Sequence, residues 1–150
     1  MLKELIDKNR VVFKDSIDSW EEAVRIASEP LLRDGTIQEG YVTAMIKCVN
    51  EYGPYIIIAP DIAFPHARGE FGVNETSISF LKVERPVKFS DSPEHAVRLL
   101  FVLASVGGNS HMELLQSMIT ELSDAAIVNG LLEAKNIEDL RKVFGIEKTA

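Results

Sequence analysis

The sequence predicts an α/β fold, a three-layer arrangement whose strands are partly parallel. Two apolar runs, 55–59 and 97–106, have the continuous character of strands buried on both faces. Three boxes of the form Ser/Thr-x-x-Glu, at Ser19, Thr36 and Ser110, each stand before a helical pattern. Strand and helix patterns then interleave, and several links between strands are long enough to hold a helix, as parallel neighbours require.

Taken in order, Ser19-Trp20-Glu21-Glu22 opens a helix with Trp20, Ala23, Val24 and Ala27 at helical spacing, expected to end near Gly35. Thr36-Ile37-Gln38-Glu39 repeats the box, with Tyr41, Met45 and Val49 on one face before Gly53-Pro54 stops the helix. Residues 55–59 predict a central strand. Thr76 to Val83 alternates, Ile78, Phe80 and Lys82 against Ser77, Ser79 and Leu81, which predicts a more exposed strand limited by Pro86. The buried run 97–106 passes through Gly107-Gly108-Asn109 into Ser110-His111-Met112-Glu113. That box opens a helix with Leu114, Leu115, Met118, Ile119 and Leu122 inward. Two short helices follow, roughly Ala125 to Ala134 and Ile137 to Phe144, with Asn136 capping the second.

Composition bounds what such a fold does. At 150 residues, 46% of them hydrophobic, the chain suits one domain with an ordinary core, and it shows no repeat, linker or low-complexity block. The formal charge of −7 argues against a nucleic-acid surface, which needs clustered Lys and Arg. The single cysteine, Cys48, forms no intrachain disulfide and has no zinc-type spacing around it, which suits a reducing cytoplasm. The opening MLKELIDKNRVVF alternates charged and apolar residues, unlike a secretory signal or an anchor. The run 99–106 is too short to cross a bilayer.

No nucleotide loop, zinc-protease motif or serine-hydrolase elbow is present, which leaves the three histidines. His66 follows an apolar strand inside Ala63-Phe64-Pro65-His66-Ala67-Arg68, where Pro60 and Pro65 stiffen the chain that presents the ring. Strand ends are where open α/β sheets put their sites. Arg68, two residues on, can offer a dianion two parallel donors. His111 sits in the first turn of a helix whose exposed N–H groups, with Ser110 at their head, favour an anion and a neutral imidazole. If the two strands run side by side with their C-terminal ends together, His66 and His111 meet beside a helix start suited to a phosphoryl group. Each residue also has a plainer role: His66 as a loop histidine, His111 as a helix-start residue, Arg68 as a surface cation. His95, in a polar loop, is assigned nothing; Phe64, Phe71 and Phe101 are read as packing residues and Cys48 as an inert helix residue.

The segment Ala59-Pro60-Asp61-Ile62-Ala63-Phe64-Pro65-His66, the strand after it, and Ser110-His111-Met112-Glu113-Leu114-Leu115 resemble enzyme IIA domains of the mannitol/fructose class of the bacterial sugar phosphotransferase system. The resemblance spans roughly residues 1–145, and Tyr52-Gly53-Pro54-Tyr55 with Ala59-Pro60 is most similar to the ascorbate-type subgroup. It implies a mixed, roughly five-stranded sheet with helices on both faces. It also implies a phosphotransferase whose His66 is phosphorylated by HPr and passes the group to a cysteine of an enzyme IIB, with His111 orienting the ring. The transported substrate would be ascorbate or a related sugar, and the membrane would be met through enzymes IIB and IIC from the cytoplasm. The resemblance implies neither cofactor nor metal, and it leaves a homodimer open. The alternative is a regulatory binding module controlled by phosphorylation of His66. Two positions depart from the family pattern. Asn50, followed by Glu51, stands where many members have an arginine, and Ala67 where a glycine commonly follows the histidine. Arg68 is the candidate replacement for the missing cation.

Overall fold

The computed structural model describes residues 2–107 and 110–145; of Ser110 and His111 it describes the helical backbone and not the side chains. Helix α1 (Leu2–Asp7) leads into strand β1 (Val11–Lys14), an element the sequence patterns did not single out. Helix α2 (Trp20–Arg33) starts where the first box places it, the Ser19 hydroxyl accepting the Glu22 N–H, and ends at Asp34 beside Gly35. Helix α3 (Glu39–Tyr52) ends at Gly53, whose φ of 82° is a conformation that side-chain-bearing residues rarely adopt. Strands β2 (Ile57–Ala59), β3 (Asp61–Ala63), β4 (Ser77–Lys88) and β5 (Ala96–Ala104) complete the sheet. Helices α4 (Ser110–Glu121), α5 (Ala125–Glu133) and α6 (Ile137–Phe144) follow, and the Asn136 side chain caps α6 through the Asp139 N–H.

The sheet is mixed, in the order β1-β4-β5-β3-β2. β1 runs parallel to β4, β4 antiparallel to β5, β5 parallel to β3, and β3 antiparallel to β2. One face packs Ala23, Val24, Ala27 and Leu31 of α2 and Tyr41, Met45 and Val49 of α3 against Leu81, Val83, Leu100 and Val102. The other face packs α1, α4, α5 and α6 against Ile62, Ile78, Phe80, Leu99, Phe101 and Leu103. The result is the expected three-layer α/β fold with helices on both faces.

Several sequence expectations change; on α4, Ile119, expected inward, is 45% exposed, while Leu114, Met118 and Leu122 are buried, so the inward stripe is narrower than the pattern suggested. The run 55–59 is not a central strand: its strand part, Ile57–Ala59, lies at the sheet edge, and Ile58 is 44% exposed. Pro60 has no N–H for a ladder, and Asp61 adopts φ 67°, so the chain folds back and β3 takes the interior position beside β5. Continuous apolar character could not separate the two.

β4 is buried rather than exposed along Ser77–Val83. Its polar side chains are satisfied by remote groups: Ser79 Oγ donates to the Ala27 carbonyl at 2.5 Å, and Ser77 Oγ to Thr36 Oγ1 at 2.9 Å. Lys82, 1% exposed, donates to the Ala134 carbonyl at 2.7 Å and pairs with Glu84. Pro86 does not end this strand. It lies where the register slips between Lys82 and Val87, a bulge in which a ladder donor is not needed. The Thr36 box is not a cap either. Helix α3 starts later, with Gln38 as its uncapped N-terminal neighbour, while the Thr36 hydroxyl serves the Leu31 carbonyl and Ser77.

The end of α2 is tied to the link between α1 and β1. Asp34 accepts from Arg33 Nε at 2.9 Å and from the buried Arg10 Nε at 3.0 Å, while Arg33 also reaches the Lys8 and Asn9 carbonyls. The Arg33 hydrogen bond, then that from Arg10, lowers the Asp34 pKa to about 2 from an ordinary 3.8. A depressed folded-state value means that this stabilisation is complete above the unfolded value and is lost as pH falls through the folded one. Asp34→Asn should therefore flatten the fall in unfolding free energy between about pH 4 and pH 2, followed by urea titration at each pH. An unchanged slope would remove Asp34 from the acid response.

Candidate active site

Parallel pairing of β3 with β5, Ala63 opposite Leu100, brings the C-terminal ends of both strands to the same edge of the sheet. The pairing continues past β3, since the Leu103 N–H donates to the Pro65 carbonyl at 3.0 Å. His66 therefore leaves the sheet next to the exit of β5, and β5 leads through Ser105–Gly107 toward the start of α4. The condition for the two histidines to approach is met by strand β3, not by the run 55–59. The side chains of His111 and Ser110 lie outside the described residues; their backbone opens α4.

The half-buried imidazole of His66 is held by its own loop. Nδ1 lies 2.6 Å from the Phe64 carbonyl oxygen. A carbonyl only accepts, so Nδ1 carries the proton of the neutral ring and Nε2 carries a lone pair. The Tyr55 ring meets the imidazole edge-on, at 5.4 Å between centroids and 87° between planes, and the Tyr55 hydroxyl donates to the His66 carbonyl at 3.1 Å. Burial first, and then the neighbouring Cys48, pushes the Tyr55 phenol up to about 12, so it remains a donor at neutral pH.

Below the loop, fully buried Tyr41 joins three pieces of chain. Its hydroxyl donates to the Leu103 carbonyl at 2.6 Å, with the Ala67 carbonyl a longer acceptor at 3.2 Å, and accepts the Ala67 N–H at 3.1 Å. Burial raises the Tyr41 pKa well above its ordinary value. Further along, Gly69 passes so close to β5's exit that a Cβ would sit 2.1 Å from the Ser105 carbonyl oxygen. Backbone approach of that kind admits glycine alone.

The loop, the exposed side of α3 and the β5 exit enclose an open groove of about 1060 Å³. His66 and Arg68 line it, as do Lys47, Cys48 and Glu51 from one face of α3. Arg68 is 79% exposed, and its Nε lies 3.1 Å from Glu70 Oε1. Lys47 lies 3.9 Å from Glu51 one helical turn on. Exposed pairs of this sort contribute roughly 0–1 kcal/mol, so both cations can turn to another anion. Asn50 is exposed on α3 and does not line the groove. Phe71, read as a packing residue, is instead 49% exposed and lines the groove; it is carried on a short surface turn, Gly69–Phe71, and its ring joins neither core. Phe64 and Phe101 do pack, 5.8 Å apart and edge-on. His95 lies outside the groove, bonded to Ser90 Oγ at 2.6 Å.

Sequence reasoning did not single out Lys47, nor the hydroxyls of Tyr41 and Tyr55, as parts of the site. Lys47 was accessible in principle, one turn before Glu51 on the same face as Cys48. The partners of Tyr41 lie 26 and 62 residues away, beyond any local pattern.

Three comparisons relate the chain to known proteins. The family model described as "Phosphoenolpyruvate-dependent sugar phosphotransferase system, EIIA 2" matches residues 4–145. The ascorbate-specific PTS system EIIA component of Escherichia coli (strain K12) is 31% identical over 141 residues, 93% of this chain and 86% of that protein. Its counterpart from Salmonella choleraesuis is 28% identical over 137 residues, 91% of this chain and 89% of that protein. Among solved structures, the mannitol-specific cryptic phosphotransferase enzyme IIA from Escherichia coli superposes with a TM-score of 0.84 at 29% identity, covering 95% of this chain and 96% of that one. No helix among the described residues is long and apolar enough to cross a membrane.

Replacing Gly69 by alanine must push the loop off the β5 exit. Gly69→Ala is expected to lose about 2–3 kcal/mol of stability in urea, with amide shifts concentrated at 66–72 and 103–107. Wild-type stability and spectra would show that the close approach is not needed.

Proposed function

This chain belongs to the EIIA 2 family of the phosphoenolpyruvate-dependent sugar phosphotransferase system, and from that premise we propose that it carries a phosphoryl group on Nε2 of His66, taken from HPr and handed to a cysteine of an enzyme IIB. Members of this family are phosphotransferase components. The observation that carries the assignment to His66 is the contact of Nδ1 with the Phe64 carbonyl, which leaves the lone pair on Nε2.

The chemistry follows from that tautomer. The Nε2 lone pair attacks phosphorus in line, a new P–N bond forms, and the donor's P–N bond breaks with its electron pair returning to the donor ring. His66 then bears the phosphoryl group on Nε2 and keeps its proton on Nδ1, where the Phe64 carbonyl stabilises the positive ring. In the second step a thiolate attacks phosphorus, a P–S bond forms, and Nε2 recovers its lone pair. The neutral starting tautomer is regenerated with no proton gained or lost.

Charge on the equatorial oxygens is answered by N–H groups at the start of α4 with Ser110 at their head, by His111 as the resemblance assigns it, and by Arg68 turned from Glu70. Lys47 adds a second exposed cation from α3. Ascorbate or a related sugar is the proposed transported substrate, supported by relatives named ascorbate-specific EIIA components at 27–31% identity. The working place is the cytoplasm, with the membrane reached through enzymes IIB and IIC.

Incubation with enzyme I, HPr and labelled phosphoenolpyruvate tests the assignment. Wild-type chain should take up acid-labile label and His66→Ala none, while His111→Ala should label about 100-fold more slowly. Undiminished labelling of His66→Ala would sink the proposal. Labelled chain that transfers to no enzyme IIB, yet binds another protein only when phosphorylated, would move the function to a regulatory module.

A further inference from the structure

A single peptide unit, the one joining His66 to Ala67, is gripped from both sides by tyrosines. Its carbonyl accepts the Tyr55 hydroxyl hydrogen at 3.1 Å, and its N–H donates to the Tyr41 hydroxyl oxygen, also at 3.1 Å. A trans amide is a rigid plane whose C=O and N–H point in opposite directions. Two hydroxyls on opposite edges therefore fix its rotation. Tyr41 can accept the Ala67 N–H because its own proton is directed to the Leu103 carbonyl at 2.6 Å. The grip is thus anchored to β5, the strand that leads to α4. Tyr55 adds its ring edge against the imidazole, 5.4 Å between centroids.

We infer that Tyr55 and Tyr41 are positioning residues for phosphoryl transfer, clamping the His66–Ala67 peptide so that the imidazole keeps its Nδ1 proton on the Phe64 carbonyl and its lone pair on Nε2. The inference rests on His66 being the phosphorylated residue. Without the Tyr55 hydroxyl, the carbonyl of His66 loses this donor and its amide, held then by Tyr41 alone, is freer to rotate about the bonds on either side. The ring then loses a fixed base, and its seat on the Phe64 carbonyl competes with other orientations. Neither phenol ionises near neutral pH, since burial raises both, so the clamp stays hydrogen-bonded wherever the carrier works.

Tyr55→Phe removes the hydroxyl and keeps the ring, and Tyr55 is 41% exposed, so the variant is expected to fold. Two measurements decide. Ring-nitrogen NMR of the unphosphorylated protein at about pH 8, above the ordinary imidazole pKa, should show the Nδ1–H tautomer in wild type and a mixture of tautomers in Tyr55→Phe. Initial labelling from HPr should fall about tenfold, with a thermal midpoint close to wild type. Tyr41→Phe should move both readouts the same way and, being buried, also lower the midpoint. A Tyr55→Phe protein with a wild-type tautomer or a wild-type labelling rate overturns the inference, and so does one that fails to fold, because the hydroxyl would then be merely structural. The tautomer measurement needs no phosphoryl donor. Normal labelling of His66→Ala would therefore remove the phosphocarrier assignment, whereas a silent Tyr55→Phe beside an unlabelled His66→Ala removes the clamp alone.

Discussion

Parallel pairing between β3 and β5, Asp61 against Val97 through Ala63 against Leu100, forces both strands out of the sheet at one edge. Everything about the candidate site depends on it. β3 gains its interior position only because Pro60 and the left-handed Asp61 fold the chain back on β2, leaving β2 as the edge. With β3 in place, the Pro65 carbonyl extends the ladder to Leu103 and the next residue, His66, emerges beside the path from β5 to α4. Gly69 and Tyr41 then press the loop onto that path, one by lacking a side chain and the other by bonding both partners.

Polar groups are handled differently in the core and at the groove. In the sheet, Lys82 and Ser79 are buried and fully committed, each to a carbonyl more than fifty residues distant in sequence. Around the groove, Lys47 and Arg68 stand exposed against Glu51 and Glu70 in pairs that water and salt screen. The first arrangement fixes a fold, since an unsatisfied buried group costs about 1–3 kcal/mol. The second holds cations in reserve. On the proposed function, a dianion bound at His66 would find two exposed, weakly engaged cations in the groove, within a chain whose net charge is −7.

What the sequence made legible was what local chemistry decides. Ser19 and Asn136 cap their helices because each partner N–H is three residues away, and Gly53 stops α3 through its own backbone freedom. Pro60 and Pro65, expected from the sequence to stiffen the approach to His66, flank strand β3. Tertiary partners decided the rest. Thr36 has the form of a cap, but its hydroxyl is taken by the preceding helix and by Ser77. The alternation in β4 pointed to a more exposed strand because Ser77 and Ser79 share one side, whereas the Ala27 carbonyl accepts a hydrogen bond from Ser79, and the Ala134 carbonyl one from Lys82, inside the protein. β1, four residues long and half-buried, carries too short a pattern to register. Tyr41 looked like a core residue, which it is, and nothing local announced that its hydroxyl would reach the loop of His66.

Holding the ring by a main-chain carbonyl has a consequence for a group that must both receive and give. A carboxylate in the place of the Phe64 oxygen would stabilise an imidazolium strongly, raising the ring's basicity and trapping either a proton on Nε2 or the phosphoryl group itself. A neutral carbonyl orients the ring and fixes its tautomer at lower cost in charge. On the proposed chemistry, the Nδ1 proton then stays put through both transfers, so neither step waits on a proton relay. On that proposal, a neutral carbonyl stabilises the phosphorylated ring less than a carboxylate would, which favours passing the group on over keeping it.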